Sequence, residues 1–536
     1  MLFFFVELGI NIPTGKDSLS MKQKYTDFDV ISPGTVIISA VGECWDIKKV
    51  VEPVFCKGIE SSIIYINFSQ DNYKLGGSSF AQTLAKIGEE TPTIKDANFF
   101  KNAFNAVQEL IKKGYVLAGH DISAGGMLTT LLEMCFADVN LGANINLSDL
   151  GEDDIVKLLF SENSGVILQI NNLEAVSTIL ETQNISYFEI GKVDSIPELS
   201  IVLNKEALEF NIDEYRDYWY EPSYLLDQKQ SGKEKAQERF SNYKNQPLEF
   251  KFPNHFSGKL SETILGRKSS SNILSKKDID NITTKGVEKP KAAVIREKGS
   301  NSEREMAYAM YLAGFDVKDV HMTDLISGRE NLEDVQFIVA VGGFSNSDVL
   351  GSAKGWAGAF LYNKKAKLAL DNFFKREDTL SLGVCNGCQL FIELGLINQN
   401  HDEKPKMLHN DSHKFECNFT SVEIQENNSV MFESLAGSKL GIWAAHGEGK
   451  FSLPYAEEKY NIVAKYAYGE FPANPNGSDY NTAFLTSDCG RHTVMMPHLE
   501  RSTFPWNWAN YPQERANDEI TPWLEGFVYA RKWLLK

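Results

Sequence analysis

The chain is 536 residues long, 43% hydrophobic and 24% charged, the composition of an ordinary soluble globular protein with length for several domains. Its formal net charge of -18 argues against a general binder of nucleic acid or anionic membrane and leaves small molecules and proteins as partners. No apolar run approaches the ~20 residues that span a bilayer, and the apolar Met1-Leu-Phe-Phe-Phe-Val6 lacks the basic flank, longer core and cleavage site of a signal peptide, so a cytoplasmic protein is expected.

Near the N-terminus, Gly9 and Gly15 bracket five residues where a phosphate-cradling P-loop has four, and Asp17 stands where a Ser or Thr would hold magnesium. What remains is a Gly15-Lys16-Asp17-Ser18 turn, with a β-branched strand predicted over Thr35 to Val41. Met1 to Ile12 has room for one short helix or strand at most. Further on, a strand is predicted over Ser61 to Phe68, and a helix over Asp96 to Lys113, where Phe99, Ala103, Val107 and Ile111 recur at helical spacing. Val116 begins a strand that runs into a polar, glycine-bearing turn and a helix ending near Phe136. Asp121 and Ser123 stand at that helix start, where local chemistry reads them as caps. Residues 213–230 read as an aromatic, charged helix, and residues 266–290, rich in Lys, Ser, Asn and Asp, as linker.

A new domain starts at Lys291. Strand Ala292 to Ile295, a polar turn at Gly299-Ser300-Asn301, helix Ser302 to Gly314, and strands Phe315 to Met322 and Val335 to Val341 alternate as in a doubly wound parallel sheet. Sites in such sheets lie at the carboxyl ends of the strands. Gly342-Gly343 ends one strand and Cys385 the next, so both reach the same edge.

Cys385 lies between Gly383 and Gly387, after an apolar run and before an apolar helix pattern. A strand that turns sharply into a helix needs small residues around the turn, and it leaves the turn side chain at the positive end of the helix, where a thiol takes its reactive thiolate form. A buried structural cysteine is the competing reading. The seven cysteines are odd in number and form no framework, so free thiols in a reducing compartment are expected. A nucleophilic cysteine needs a base and a group that orients the base. His498 and Glu500 alternate on one side of a segment predicted to be extended, which presents imidazole and carboxylate together. His446, ahead of Gly447-Glu448-Gly449, is the reserve candidate for the base. Cys385-x-x-Cys388 with His409, His413 and Cys417 leaves zinc as an alternative, although Cys388 falls on the first helical turn and is more simply core.

Gly383-x-Cys385-x-Gly387-x-Gln389 with the late His498-x-Glu500 resembles the class I (triad) glutamine amidotransferases. Joined with Gly342-Gly-Phe-Ser345, His446-Gly-Glu-Gly449, Ala473-Asn-Pro-Asn-Gly-Ser478 and Met495-Met-Pro-His-x-Glu-Arg501, the pattern more closely resembles the phosphoribosylformylglycinamidine synthase family of purine biosynthesis, over nearly the whole chain. The resemblance implies an α/β protein. A C-terminal flavodoxin-like doubly wound parallel sheet, the class I glutaminase of residues 291–536, would follow an α+β domain like that of aminoimidazole ribonucleotide synthetase. Residues 1–50 would be a truncated remnant of an ATP-binding synthetase domain, 51–205 its C-terminal companion, and 206–290 a linker.

In the glutaminase the resemblance implies Cys385 as nucleophile, His498 as base, Glu500 as orienting carboxylate, and the backbone N–H groups of Gly343 and Asn386 as holders of an oxyanion. In the synthetase half, Gly15, Lys16 and Ser18 would lie near substrate or phosphate, Asp121 would contribute to magnesium, Ser123 to nucleotide binding, and Glu162 would be structural. ATP and Mg2+ are the implied cofactors. Glutamine and formylglycinamide ribonucleotide are the implied substrates, and the absent N-terminal half of the synthase the implied partner. Two departures stand out: Asn346-Ser347 replaces a Tyr-Gly pair, and Leu499 replaces a proline between His498 and Glu500. From other classes, a non-ligating cysteine hydrolase or chaperone of the intracellular-protease family, and a catalytically idle scaffold, are the alternatives.

Overall fold

The computed structural model describes residues 2–15, 21–31, 37–265 and 289–536, which divide into two units, Met1–Glu221 and Pro222–Lys536. The first opens with a short helix, Leu2–Leu8, and an exposed antiparallel hairpin of β1 (Lys22–Lys24) and β2 (Asp29–Ile31). The strand predicted over Thr35 to Val41 is not formed in its described part. Ile37, Ile38 and Val41 are exposed and pair with no strand, and β-branched side chains favour a strand only where neighbours cover them.

Beyond it, β3 (Ser62–Asn67), β4 (Val116–Asp121), β5 (Gly142–Asn146), β6 (Gly165–Ile170), β7 (Phe188–Asp194), β8 (Glu198–Leu203) and β9 (Glu206–Asn211) form one sheet. Its order is β4-β6-β3-β7-β5-β8-β9, antiparallel throughout except for β5 beside β8. The period of two places apolar side chains on both faces of the central strand. Ile63 and Tyr65 join one core with Leu131 and Leu159, while Ile64 and Ile66 join the other with Val107, Leu110 and Leu180. That second core is covered by the helix Ala97–Lys113, whose N-terminus is capped by the Asp96 carboxylate accepting from the N–H groups of Asn98 and Phe99.

The linker expected over 206–290 is structured where it is described. Residues 206–211 are β9, and helices Ile212–Gln230, Gly232–Asn242 and Leu260–Leu265 follow. The division between the units falls within the first of these helices, at Pro222. Phe256, Leu260 and Ile264 are buried in the core of the second unit, so this segment carries apolar anchors that its polar composition hides. Residues 266–288 lie outside the described residues.

The second unit contains β10 (Lys291–Arg296), β11 (Asp316–His321), β12 (Phe337–Ala340), β13 (Leu380–Val384), β14 (Lys406–Leu408), β15 (Glu416–Ile424), β16 (Lys439–His446), β17 (Lys450–Ser452), β18 (Asn461–Tyr466), β19 (Thr482–Thr486) and β20 (His492–Met495). Nine of them make a sheet of order β11-β10-β12-β13-β20-β19-β18-β15-β16. The half from β11 to β20 is parallel, as a doubly wound sheet requires. The half from β19 to β16 is antiparallel and extends that sheet beyond the expected architecture. β12 and β13 are buried at every position, the pattern of parallel strands covered on both faces.

Register then aligns the strand ends: Ala340 pairs with Gly383, and Val384 with Met495. Gly342, Cys385 and His498 therefore leave neighbouring strands at one edge. Among the described residues, no helix is long and apolar enough to cross a membrane.

Candidate active site

Cys385 ends β13 and is the N-cap of the helix Asn386–Glu393, with φ 52° and ψ -107°. A left-handed φ in a residue with a Cβ is strained, and here the surroundings impose it. The Cys385 N–H donates to the Met495 carbonyl at 2.8 Å, and its carbonyl accepts from the Gln389 N–H at 3.0 Å. The helix packs so closely behind the turn that a Cβ on Gly387 would lie 2.0 Å from the Ala340 carbonyl oxygen, which is why only glycine fits. The thiol is 6% exposed and lies 3.6 Å from the Ala445 carbonyl. Cys388 is fully buried instead, and burial pushes its thiol well above the usual range, so it is an unreactive core residue.

His498 and Glu500 reach the same place. The His498 N–H donates to the Trp443 carbonyl of β16 at 2.8 Å, and its Nδ1–H donates to Glu500 Oε1 at 2.7 Å. The segment is not extended as predicted, because Leu499–Arg501 is a turn of 3-10 helix. The turn curls the carboxylate back onto the imidazole, whereas an extended strand would hold the two side chains parallel and farther apart. A Cβ on Gly342 would lie 2.7 Å from His498 Cε1 and 3.4 Å from Cys385 Cβ, so the two side chains share one cavity beside that glycine.

Burial opposes a charge on His498, but the Glu500 carboxylate, followed by Cys385, outweighs it and raises the imidazole to about 9. Burial likewise works against the Glu500 charge, and His498 holds that carboxyl below its ordinary value. The two form a buried ion pair ready to carry a proton on the remaining ring nitrogen, Nε2.

His446 lines the same cavity, yet both of its nitrogens are taken up. Nδ1 lies 3.3 Å from Asn410 Oδ1, and Asn476 Nδ2 donates to Nε2 at 3.5 Å. Burial, helped by the His498 charge, lowers it to about 3, so it is a neutral wall.

Gly343, at φ 118°, and Asn386, the first residue of the helix, flank the thiol. The N–H of Asn386 has no intrahelical acceptor at that position. Asn301, Phe344, Asp348, Ser352, Gln389, Phe415, Ala445, Gly447 and Arg501 complete the lining. Of these, Asp348, Ser352 and Ala445 were not singled out in the sequence, and Arg501 closed a quoted motif without a role of its own. Asp348 directly follows the Asn346-Ser347 departure, the signal that would have drawn attention to it.

In the first unit Gly15 is exposed, and Lys16 and Ser18 lie outside the described residues. Ser123 is exposed, and the Asp121 side chain is 74% exposed beside His120, whose Nδ1 lies 2.7 Å from the Asp121 carbonyl. Glu162 accepts from the N–H groups of Ser79 and Gly125 at 2.7 and 2.9 Å and ties two loops together, a structural role. Among the described residues no group of three or more His, Cys, Asp or Glu is placed to hold a metal ion, so neither a zinc set around Cys388 nor a magnesium set around Asp121 is present in them. One exposed carboxylate does not fit Mg2+.

Residues 289–534 match the model of the CobB/CobQ-like glutamine amidotransferase domain, and residues 63–204 that of the C-terminal domain of AIR synthase related proteins. The second unit therefore carries a glutamine amidotransferase domain, and the first an AIR synthase-like one.

The relatives are more particular. The chain is 38% identical, over 99% of its length, to the probable phosphoribosylformylglycinamidine synthase, chloroplastic/mitochondrial, of Arabidopsis thaliana, and covers 38% of that protein. It is 36% identical over 98% of its length to the phosphoribosylformylglycinamidine synthase of Dictyostelium discoideum, covering 41% of it. The probable enzyme of the same name from Caenorhabditis elegans is 33% identical over 99% of the chain, which covers 42% of it. The chain thus resembles phosphoribosylformylglycinamidine synthases along nearly all of its length and spans about two fifths of theirs. Among solved structures, PurLQS from Thermotoga maritima is 28% identical, covering 40% of this chain and 90% of that one, with a TM-score of 0.34.

Proposed function

We propose that this chain hydrolyses the side-chain amide of glutamine with Cys385, His498 and Glu500, and that the ammonia serves glutamine-dependent formation of formylglycinamidine ribonucleotide from formylglycinamide ribonucleotide and ATP. The observation that carries the first part is the buried His498–Glu500 pair beside a cysteine on a strained strand-to-helix turn. The relatives' shared name supports the second.

The Cys385 sulfur attacks the amide carbon, and the carbonyl oxygen becomes an oxyanion between the N–H groups of Gly343 and Asn386. His498 delivers its Nε2 proton to the amide nitrogen as the C–N bond breaks, and ammonia leaves with a γ-glutamyl thioester on Cys385. His498 then takes a proton from water, the hydroxide adds to the thioester, and the C–S bond breaks to release glutamate and restore the thiolate–imidazolium pair. Glu500 keeps Nδ1 protonated and the ring aligned throughout.

This chain is proposed to supply part of the synthetase as well, with the remaining ATP and Mg2+ ligands coming from a partner that carries the length that the relatives have and this chain does not span. Exposed Ile37, Val41 and Trp45 in the first unit support a surface that such a partner covers. None of the seven cysteines is in a disulfide, which supports a reducing compartment, proposed as the cytoplasm.

The test is glutaminase turnover in two variants. Cys385→Ala is expected to abolish it and to escape labelling by an electrophilic glutamine analogue, while Cys388→Ala keeps both. Turnover retained in Cys385→Ala would remove the nucleophile assignment, and peptidase activity without glutaminase activity would favour the cysteine-hydrolase alternative.

A further inference from the structure

We propose that Asp348, backed by Glu448, seats the α-ammonium group of the glutamine, so that the site selects the free zwitterionic amino acid over other primary amides. This rests on the glutaminase reading above and assigns what it leaves open, the recognition of the end of the substrate remote from Cys385.

Asp348 and Cys385 line one cavity, and Arg501, which also lines it and lies 4.0 Å from Glu500, supplies the opposite charge that an α-carboxylate needs. The Asp348 carboxylate is half-buried and held only by long contacts. Asn386 Nδ2 lies 3.5 Å from Oδ1, the Ala353 N–H donates to Oδ1 at 3.4 Å, and Ser352 Oγ donates to Oδ2 at 3.4 Å. Glu448 approaches from the other side of Ser352, accepting from its N–H at 3.3 Å.

Among the described residues neither carboxylate is paired with a Lys or Arg. Glu448 meets only His409, at 3.9 Å, and Asp348 has no ion pair. Burial, and then the Glu448 charge, raise the Asp348 carboxyl above its ordinary value, the sign of negative charge in want of a cation. A primary ammonium entering the cavity meets that want with three donors.

The seat is also wired to the reaction centre. Asn386, whose N–H faces the developing oxyanion, donates from its side chain to Gln389 Oε1 at 2.9 Å and accepts from the Ser345 N–H at 3.2 Å as well as approaching Asp348. Gln389 in turn donates to the Glu448 carbonyl at 2.8 Å. An ammonium on Asp348 therefore bears on the residue that must hold the oxyanion. The backbone commits Asp348 to this position: Asn346, Ser347 and Asp348 have successive φ values of 53°, 58° and 48°.

The experiment compares kcat/KM of the full chain for L-glutamine and for 5-amino-5-oxopentanoic acid, which is glutamine without its α-amino group. The parent is expected to prefer glutamine by at least about a hundredfold, since a buried charged seat left empty is costly. Asp348→Asn should lose more than about tenfold on glutamine and less than about threefold on the deamino amide, so that the preference falls by more than about threefold, with Glu448→Gln intermediate. Unchanged alkylation of Cys385 by iodoacetamide in both variants shows that the site is still folded. A parent that accepts both amides equally, or an Asp348→Asn variant that loses equally on both, overturns the assignment. A parent that cleaves neither amide overturns the glutaminase reading itself, and the two failures are thereby distinct.

Discussion

His446 and His498 share a cavity wall, and their partners drive them to opposite protonation states. His498 has a carboxylate on Nδ1 and sits near 9; His446 has two asparagines and sits near 3. His498→Ala is accordingly expected to slow thioester formation by roughly a thousandfold, and His446→Ala by less than about tenfold with its effect mainly on KM. Single-turnover quench experiments decide this, and the reverse order would move the base to His446.

The same values fix how stability responds to pH. The folded-state value of His498 is raised, so its contribution is complete below about 6.5 and is lost as pH rises through 9. His446 and His492, both lowered to about 3, stay neutral in the fold while the unfolded chain takes up protons, so their share is lost as pH falls below about 6.5. Denaturant melts should show greatest stability near neutrality, with His492→Asn flattening the acid limb by at most about 1.4 kcal/mol per pH unit. An unchanged acid limb in that variant would show that His492 is charged in the fold.

At this scale Cys385 was legible because two glycines and an apolar run frame it. Asp348 was not, because its role comes from Glu448 and Asn386, which only the tertiary fold brings near.

Among elements, the strand-to-helix turn is held by packing that leaves no room behind it. Gly387→Ala drives a Cβ to 2.0 Å from the Ala340 carbonyl and is expected to destabilise the second unit by more than about 2 kcal/mol, with loss of Cys385 alkylation by glutamine analogues. Gly358→Ala, inside the helix Lys354–Tyr362 and 3.8 Å from its nearest neighbour, should be neutral or stabilising by up to about 1 kcal/mol. Thermal melts of the pair test the close approach, and equal melting temperatures would contradict it.

The parallel strands were readable from continuous apolar runs such as Phe337–Ala340 and Leu380–Val384, which need burial on both faces. The antiparallel half was less so. β15 mixes buried and exposed positions without strict alternation, and its neighbours are set by register with β16 and β18. The turn at Leu499–Arg501 escaped for a related reason: leucine in place of proline fits an extended chain as well as a turn, and the choice is made by the Trp443 carbonyl and the buried carboxylate.

At the scale of the molecule, the second unit brings its candidate site residues into one cavity, whereas in the described part of the first Asp121 is an exposed carboxylate that joins no group placed to hold a metal ion. ATP-dependent formation of formylglycinamidine ribonucleotide is therefore expected to be absent in the isolated chain and restored by adding the remaining length of a relative as a separate protein. Steady product formation by the 536-residue chain alone would contradict that division of labour.

The most direct test of the central claim is rapid quenching of the chain with labelled glutamine, followed by mass spectrometry of the peptide that contains Cys385. A γ-glutamyl adduct should form on Cys385 before glutamate appears, decay at the turnover rate, and be absent in Cys385→Ala and His498→Ala. Turnover of glutamine with no adduct on Cys385 at any time, or with an adduct on another residue, would contradict the account.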